Sequence, residues 1–167
     1  MLSGMADAGG EMAEDGEITI RVATDLKAFS AAEWSSLDGA SKTGALPYNP
    51  FISYAFLSAL EDSGCANRKT GWLGQHMRLE APDGTLLGAV AGYLKSHSQG
   101  EYVFDHGWAD AFERAGGEYY PKLQIAVPFT PATGPRLLVA HNYAPEAIQA
   151  ALAGGIQALT DQLGASS

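Results

Sequence analysis

Ionisable and aromatic side chains are concentrated in one stretch of the chain, residues 93–136. Loops that bind ligands are often rich in both, because aromatic rings supply shape and ionisable groups supply orientation. We therefore expect the residues that contact a substrate to lie in this stretch. The candidates are Lys95, His97, Asp105, His106, Trp108, Tyr120, Lys122 and Arg136.

The two histidines of this stretch are candidates for acid–base chemistry, because an imidazole titrates near neutral pH. We take His106 as the candidate general base, with Asp105 beside it, although residues adjacent in sequence rarely face each other. His97 is a candidate polar contact, and each histidine can instead be an ordinary loop or helix-cap residue. The spacing of His97, Asp105 and His106 matches no standard set of metal ligands, so we predict no metal site.

The remaining candidates each allow two interpretations. Trp108 and Tyr120 can line a substrate groove or pack in a core or hinge. Lys122 and Gln124 share one face of a predicted strand, where either a substrate carboxylate or solvent can face them. Arg136 follows a stretch rich in proline and glycine, and it can bind an anionic ligand or pair with one of the chain's acids.

Hydrophobic periodicity predicts the elements that must position these residues. Alternating apolar residues predict strands at 17–23, 72–80 and 122–127. A mostly apolar run predicts a more deeply buried strand at 85–94, and a short strand is predicted at 136–139, after a bend rich in proline and glycine. Ser30 and Glu33 form a capping box that predicts a short helix at 31–37, and residues 39–47 are predicted to form a loop. Helical spacing predicts helices at 52–62 and 144–163, and residues 107–116 have helical composition. The turn Pro82-Asp83-Gly84 predicts a β-hairpin between the second and third strands. This order predicts an α/β (α+β) domain, 17–167, with a largely antiparallel sheet flanked by helices.

The bulk composition limits the class of protein. The chain has 167 residues, of which 46% are hydrophobic and 17% charged, so one domain with a packed core is expected. A formal net charge of −9 disfavours binding to nucleic acid and to anionic membranes. No apolar run is long enough to enter a membrane, and residues 1–16 lack the features of a signal peptide, so we predict a disordered acidic leader and a cytoplasmic protein. The single cysteine, Cys65, suits a reducing compartment.

Several common catalytic motifs do not occur in the sequence. The chain contains no GxGxxG and no GxxxxGK[ST], which excludes the usual dinucleotide-binding and P-loop patterns. It also contains no GxSxG nucleophile elbow.

Three runs of sequence resemble the FemAB-like family of bacterial proteins, which is related to the GNAT acyltransferase superfamily. They are Asn49-Pro50-Phe51 with the Phe56-Leu57 helix, LKSHSQGEYVFDHGWADAFERAGGEYYPKLQ (94–124) and PFTPATGPRLLV (128–139). The resemblance covers residues 17–163 and implies a GNAT-like fold. Members usually contain two such units, so the resemblance implies that this chain is the N-terminal part of an incomplete fold.

The resemblance implies an N-acyltransferase that moves an acyl or aminoacyl group to an amine of a small molecule or peptide, in peptidoglycan-related metabolism. Acetyl-CoA and aminoacyl-tRNA are the donors that it suggests. GNAT enzymes bind the pyrophosphate of coenzyme A with a glycine-containing loop, whereas residues 141–146 here contain no glycine, so the cofactor stays open. The alternatives are a non-catalytic module that binds a peptide or cell-wall precursor, or an inactive remnant. The oligomeric state is also open.

Overall fold

A computed structural model describes residues 17–37, 48–99, 101–102, 104–141 and 143–167. The predicted leader 1–16 and the predicted loop 39–47 lie outside these residues. The described part is a mixed α+β structure with helices and two antiparallel sheets. The strands are β1 (Thr19–Ala23), β2 (Trp72–Gly74), β3 (His76–Glu80), β4 (Leu86–Val90), β5 (Tyr93–Lys95), β6 (Lys122–Gln124) and β7 (Leu138–Val139). The helices are α1 (Ala31–Leu37), α2 (Tyr54–Asp62), α3 (His106–Arg114) and α4 (Pro145–Leu163).

Local side-chain chemistry explains where the first two helices begin. The capping box predicted for α1 is confirmed: Ser30 Oγ accepts from the Glu33 amide at 3.1 Å, and Glu33 Oε2 accepts from the Ser30 amide at 2.7 Å. Helix α2 begins later than predicted. Residues Pro50–Ile52 form a separate 3₁₀ turn, and the Ser53 side chain then caps α2.

The predicted hairpin is confirmed, since β3 and β4 pair antiparallel across the 82–84 turn. Each long predicted strand is nevertheless divided in two, so that β2 pairs with β5 in one sheet and β3 pairs with β4 in another. The two sheets meet where the Gln75 amide donates to the Gly92 carbonyl at 2.8 Å. A Cβ at Gly92 would lie 2.7 Å from the Gln75 carbonyl oxygen, so only glycine permits this close approach.

The four-stranded sheet, in the order β1-β3-β4-β7, is packed on both faces. Trp34 of α1 and Leu57 of α2 share a core with Ala89, whereas Leu152 and Leu159 of α4 share a second core with Leu79 and neighbouring residues. All five residues of β4 are buried, as the prediction of a more deeply buried strand requires. The hydrophobic effect thus fixes this sheet between α1 and α2 on one side and α4 on the other.

The second sheet, β2-β5-β6, diverges from the first at the central bend. Strand β6 pairs with β5, and β7 pairs with β4, so residues 125–137 leave the sheet between the two. We call residues 125–137 the excursion loop. Phe129 within it has φ of 61°, a left-handed backbone that costs a residue with a side chain about 1 kcal/mol or more. The loop encloses space at the bend instead of extending a strand.

Candidate functional site

The divergence of the two sheets leaves a cavity of about 220 Å³, which we call the bend cavity. Its wall combines the excursion loop with the end of the second sheet and the segment before α3. The lining residues are Trp72, Glu101, Tyr102, Gln124, Ala126, Val127, Phe129, Thr130, Pro131, Ala132 and Arg136. Aromatic, amide and charged groups therefore meet in one recess, as ligand sites commonly require.

Strand register explains why charged residues collect beneath this recess. Trp72, Lys95 and Lys122 are direct neighbours across β2, β5 and β6, and they form one row of the second sheet. Two lysines directly opposite each other repel. The segment that follows β5 supplies a carboxylate to each, with Glu101 on Lys95 and Asp105 on Lys122.

The first of these pairs is almost completely enclosed. The Lys95 side chain is 0% exposed and that of Glu101 is 9% exposed, and Lys95 Nζ lies 2.9 Å from Glu101 Oε1. Lys95 Nζ also lies 3.5 Å from the centre of the Trp72 ring, a cation–π contact. Burial lowers the pKa of Lys95, and Glu101 opposes this change by favouring the charged ammonium.

Hydrogen bonding in the cavity wall is incomplete within the described residues. Gln124 Nε2 donates to Glu101 Oε2 at 3.3 Å, but Gln124 Oε1 is a buried acceptor without a donor. Trp72 Nε1 is a buried donor without an acceptor. The ion-paired Glu101 Oε1 and Lys95 Nζ also lack the angular geometry of a hydrogen bond. Buried polar atoms without partners are uncommon, and their concentration here marks the wall as a place for ligand groups.

The second pair belongs to a hydrogen-bonded network around Asp105. Lys122 Nζ and the Tyr119 hydroxyl donate to Asp105 Oδ2, and the Tyr120 hydroxyl lies 3.0 Å from Oδ1 and 2.7 Å from Ser98 Oγ. Burial alone would raise the pKa of Asp105. The hydrogen bonds from Lys122 and from the surrounding hydroxyls outweigh burial and hold this pKa well below its usual range. Asp105 is therefore an ionised anchor for Lys122.

Arg136 also lines the bend cavity. Its guanidinium donates to the carbonyls of Ala132, Gly134 and Pro135, all in its own loop. No carboxylate pairs with it among the residues that the structure describes. Partial burial accordingly lowers the pKa of Arg136. A guanidinium held in place without a counter-charge is a ready site for an anion.

The structure separates the other predicted site residues from this wall. His106 is exposed at the start of α3 and stacks on Phe104, with ring centres 5.6 Å apart, whereas Asp105 contacts the tyrosines and Lys122. Trp108 is 76% exposed on α3. His97 is half-buried and accepts from the Gln99 amide through Nδ1. Lys95, Tyr120 and Lys122 are thus brought together with Asp105, and Arg136 lines the bend cavity, whereas His97, His106 and Trp108 stand apart.

A larger and more apolar cavity of about 640 Å³ shares part of the excursion loop with the bend cavity. It lies between residues 48–52 and 130–135, and Asn49 Nδ2 links the two segments by donating to the Thr133 carbonyl at 2.7 Å. Tyr48 and Phe51 are 63% and 39% exposed there. The excursion loop therefore forms walls of both a polar and an apolar recess.

The GNAT-like resemblance predicts a pyrophosphate-binding loop at the beginning of α4. Here Ala144 precedes the helix without a side-chain cap, and Pro145 at the first position carries no N–H. Glu146 adds a carboxylate to the first turn, which repels an anion at the helix N-terminus. These residues do not form a phosphate cradle.

Two observations on membrane spans and metal ligands apply to the described residues alone. Within them, no helix combines the length and apolar character needed to cross a membrane. No three His, Cys, Asp or Glu side chains there come together in a way that could hold a metal ion.

The described residues form a mixed α+β architecture, in which helices pack on two antiparallel sheets that diverge at a bend. This architecture is consistent with a GNAT-like fold. A family model described as FemAB-like, peptidoglycan biosynthesis/recognition, matches residues 25–167. The chain therefore belongs to the FemAB-like family, as its sequence resemblance predicted. No curated protein and no solved structure matches the chain.

Trp72 and Glu101 were not predicted as site residues from the sequence, and Gln124 was predicted only to share a strand face with Lys122. Trp72 reads as the first apolar residue of a strand, and Glu101 as one acid among many in a loop. One signal was available: Gln124 and Lys122 share a strand face, and polar residues on a buried sheet need partners. The partners themselves depend on contacts across 23 and 17 residues of chain.

Proposed function

We propose that this chain is an N-acyltransferase domain of the FemAB-like family, and that the bend cavity receives the amine that is acylated. The observation that carries the proposal is the Glu101 carboxylate in the cavity wall, beside the unpaired Gln124 Oε1. Both are hydrogen-bond acceptors, and an amine or ammonium supplies the donors that they need. Membership of a family described by peptidoglycan biosynthesis/recognition supports an amine of a peptidoglycan-related compound.

The reaction that this arrangement supports is acyl transfer from a thioester or ester. The bound amine is neutral, its nitrogen lone pair attacks the acyl carbonyl carbon, and Glu101 accepts the proton that the nitrogen loses as the C–N bond forms. A C–N bond forms, the bond from carbon to the sulfur or oxygen of the leaving group breaks, and the leaving group takes that electron pair. Glu101 returns the proton to the leaving group, so that no proton is gained or lost. Lys95 holds the carboxylate in place, as its enclosed ion pair with Glu101 indicates.

The other predicted site residues receive supporting roles in this proposal. Tyr120, Lys122 and Asp105 form the rigid network that fixes the segment carrying Glu101. His106, which the sequence suggests as the base, is exposed and stacked on Phe104, so we assign proton transfer to Glu101 instead. His106, His97 and Trp108 remain proposed contacts for the part of a substrate outside the cavity.

The test is acyl transfer by the purified chain, measured as product mass, with acetyl-CoA and with aminoacyl-tRNA as donors and with a panel of amino acids and short peptides as acceptors. We expect Glu101→Gln to lower the rate by about 100-fold or more, since positioned general bases contribute about that much. Glu113→Gln, which changes an exposed carboxylate on α3, is the matched control and should keep the rate. Equal rates for wild type and Glu101→Gln would refute the role of Glu101.

A second candidate function is a non-catalytic module that binds a peptide or cell-wall precursor. The first turn of α4 supports it, because Pro145 lacks an N–H and Glu146 repels an anion, so this helix terminus does not favour a pyrophosphate. Binding of an acceptor amine without product from either donor would support this alternative. Product from aminoacyl-tRNA but not from acetyl-CoA would support acyl transfer that does not depend on that helix terminus.

A further inference from the structure

The bend cavity has an imbalance of charge that an amine alone does not correct. Arg136 and Lys95 contribute two positive charges at or beneath its wall, and Glu101 contributes one negative charge. The neighbouring Lys122–Asp105 pair is balanced. A positive charge is therefore left over within a chain whose formal net charge is −9.

Arg136 is the group that carries this excess. Carbonyl oxygens of its own loop hold the guanidinium in place without neutralising it. Trp72 Nε1, in the same wall, is a second N–H donor without an acceptor among the described residues. The half-buried guanidinium of Arg136 and the buried Trp72 Nε1 therefore both offer N–H donors that an acceptor group of a ligand can pair with.

We propose that the bend cavity binds the carboxylate group of its ligand, with Arg136 as the anchor. A guanidinium accepts a carboxylate in a planar, bidentate geometry. A single negative charge matches the excess, whereas the second charge of a phosphate would add repulsion in a cavity that Glu101 also lines. The proposal builds on the proposed function, because Glu101 and Gln124 then receive the neutral amine of the same ligand, so that the bound ligand adds one negative charge. The ligand class is a small molecule or peptide that carries both an amine and a free carboxylate.

The test is binding without any acyl donor, so that it can succeed or fail independently of catalysis. Glycylglycine and glycylglycinamide are titrated into the full chain and followed by NMR, since the two differ only at the carboxylate. We expect glycylglycine to bind about tenfold or more tightly than its amide, the effect of one charge-assisted contact. Arg136→Gln should abolish this preference. Arg114→Gln, which removes an exposed arginine of α3, should retain it.

Three results would overturn the proposal: equal binding or no detectable binding of the two probes to wild type, a preference that survives in Arg136→Gln, or tighter binding of inorganic phosphate than of glycylglycine. If Arg136→Gln does not fold, Arg136→Lys replaces it, and a reduced preference is expected because lysine keeps the charge but loses the planar fork. The comparison of the two probes on wild type needs no variant. A carboxylate preference without acyl transfer would leave this site standing and remove only the proposed reaction.

Discussion

Replacing Glu101 by glutamine should destabilise the chain by about 3–5 kcal/mol, because it leaves Lys95 enclosed without a counter-charge. The acid–base chemistry of lysine sets an upper limit on this loss of unfolding free energy. Lys95 can escape the penalty by losing its proton, and at pH 7 that costs about 4.6 kcal/mol for a group with an ordinary pKa of about 10.4. The loss of unfolding free energy should therefore not exceed about 5 kcal/mol.

The pH dependence of this loss identifies its cause. In Glu101→Gln the folded chain holds Lys95 neutral, whereas the unfolded chain binds a proton there up to pH of about 10. The unfolded state then carries one more proton, so the free energy of unfolding should rise with pH by about 1.4 kcal/mol per unit between neutral pH and pH of about 10. In wild type, burial lowers the pKa of Lys95 but Glu101 supports its charge, so this rise begins only above the lowered pKa.

Urea denaturation of wild type, Glu101→Gln, Lys95→Met and the double variant, at several pH values, measures these quantities. The double variant should recover most of the lost stability, since it removes both charges and leaves a side chain of similar length beside Trp72. Glu113→Gln is the control for loss of an exposed carboxylate. A loss below about 1 kcal/mol in Glu101→Gln, or additive losses in the double variant, would refute the enclosed ion pair.

Two further predictions concern stability. Gly154→Ala and Gly155→Ala form a matched pair in α4: a Cβ at Gly154 meets open space, whereas one at Gly155 would lie 2.5 Å from Ile20 Cδ1. Alanine favours a helix by about 1 kcal/mol over glycine, so Gly154→Ala should raise the thermal midpoint and Gly155→Ala should gain less or lose; equal gains would contradict the packing of α4 on β1. Asp105→Asn should cost stability at pH 5, and its difference from wild type should shrink as pH falls from about 4 towards 2, because the lowered pKa of Asp105 stabilises the fold only while the carboxylate is ionised. Urea unfolding at each pH measures the difference, and a constant value would exclude this role.

Much of the fold follows from local sequence patterns. The Ser30/Glu33 capping box, the 82–84 turn and the apolar spacing of α4 each act over a few residues, and all three form as predicted. Strand interruptions were not predicted. The bend depends on a contact between Gln75 and Gly92, which lie on two different predicted strands and are brought together only by their pairing.

The candidate site, like the fold, could be predicted from the sequence only in part. The density of ionisable and aromatic residues in 93–136 located the region, and Lys95, Asp105, Tyr120, Lys122 and Arg136 were named from it. Their partners were not, because Trp72 reaches Lys95 through strand register, and Glu101 reaches it through the path of the segment after β5. His106 has the side chain expected of a base, but its place at the exposed start of α3 separates it from the cavity wall.

The sequence by itself determined the mixed α+β class, the family and most element positions, because these depend on periodicity, caps, turns and long residue-specific runs. The tertiary structure alone decided that the sheet bends at Gln75 and Gly92, and that residues 125–137 leave it to enclose a cavity. It also decided which charges are paired and that Arg136 has no carboxylate among the described residues. The physical reason is that each ion pair joins residues that are distant in the sequence and that only folding brings together. Burial then raises the free-energy cost of a charge that has no partner.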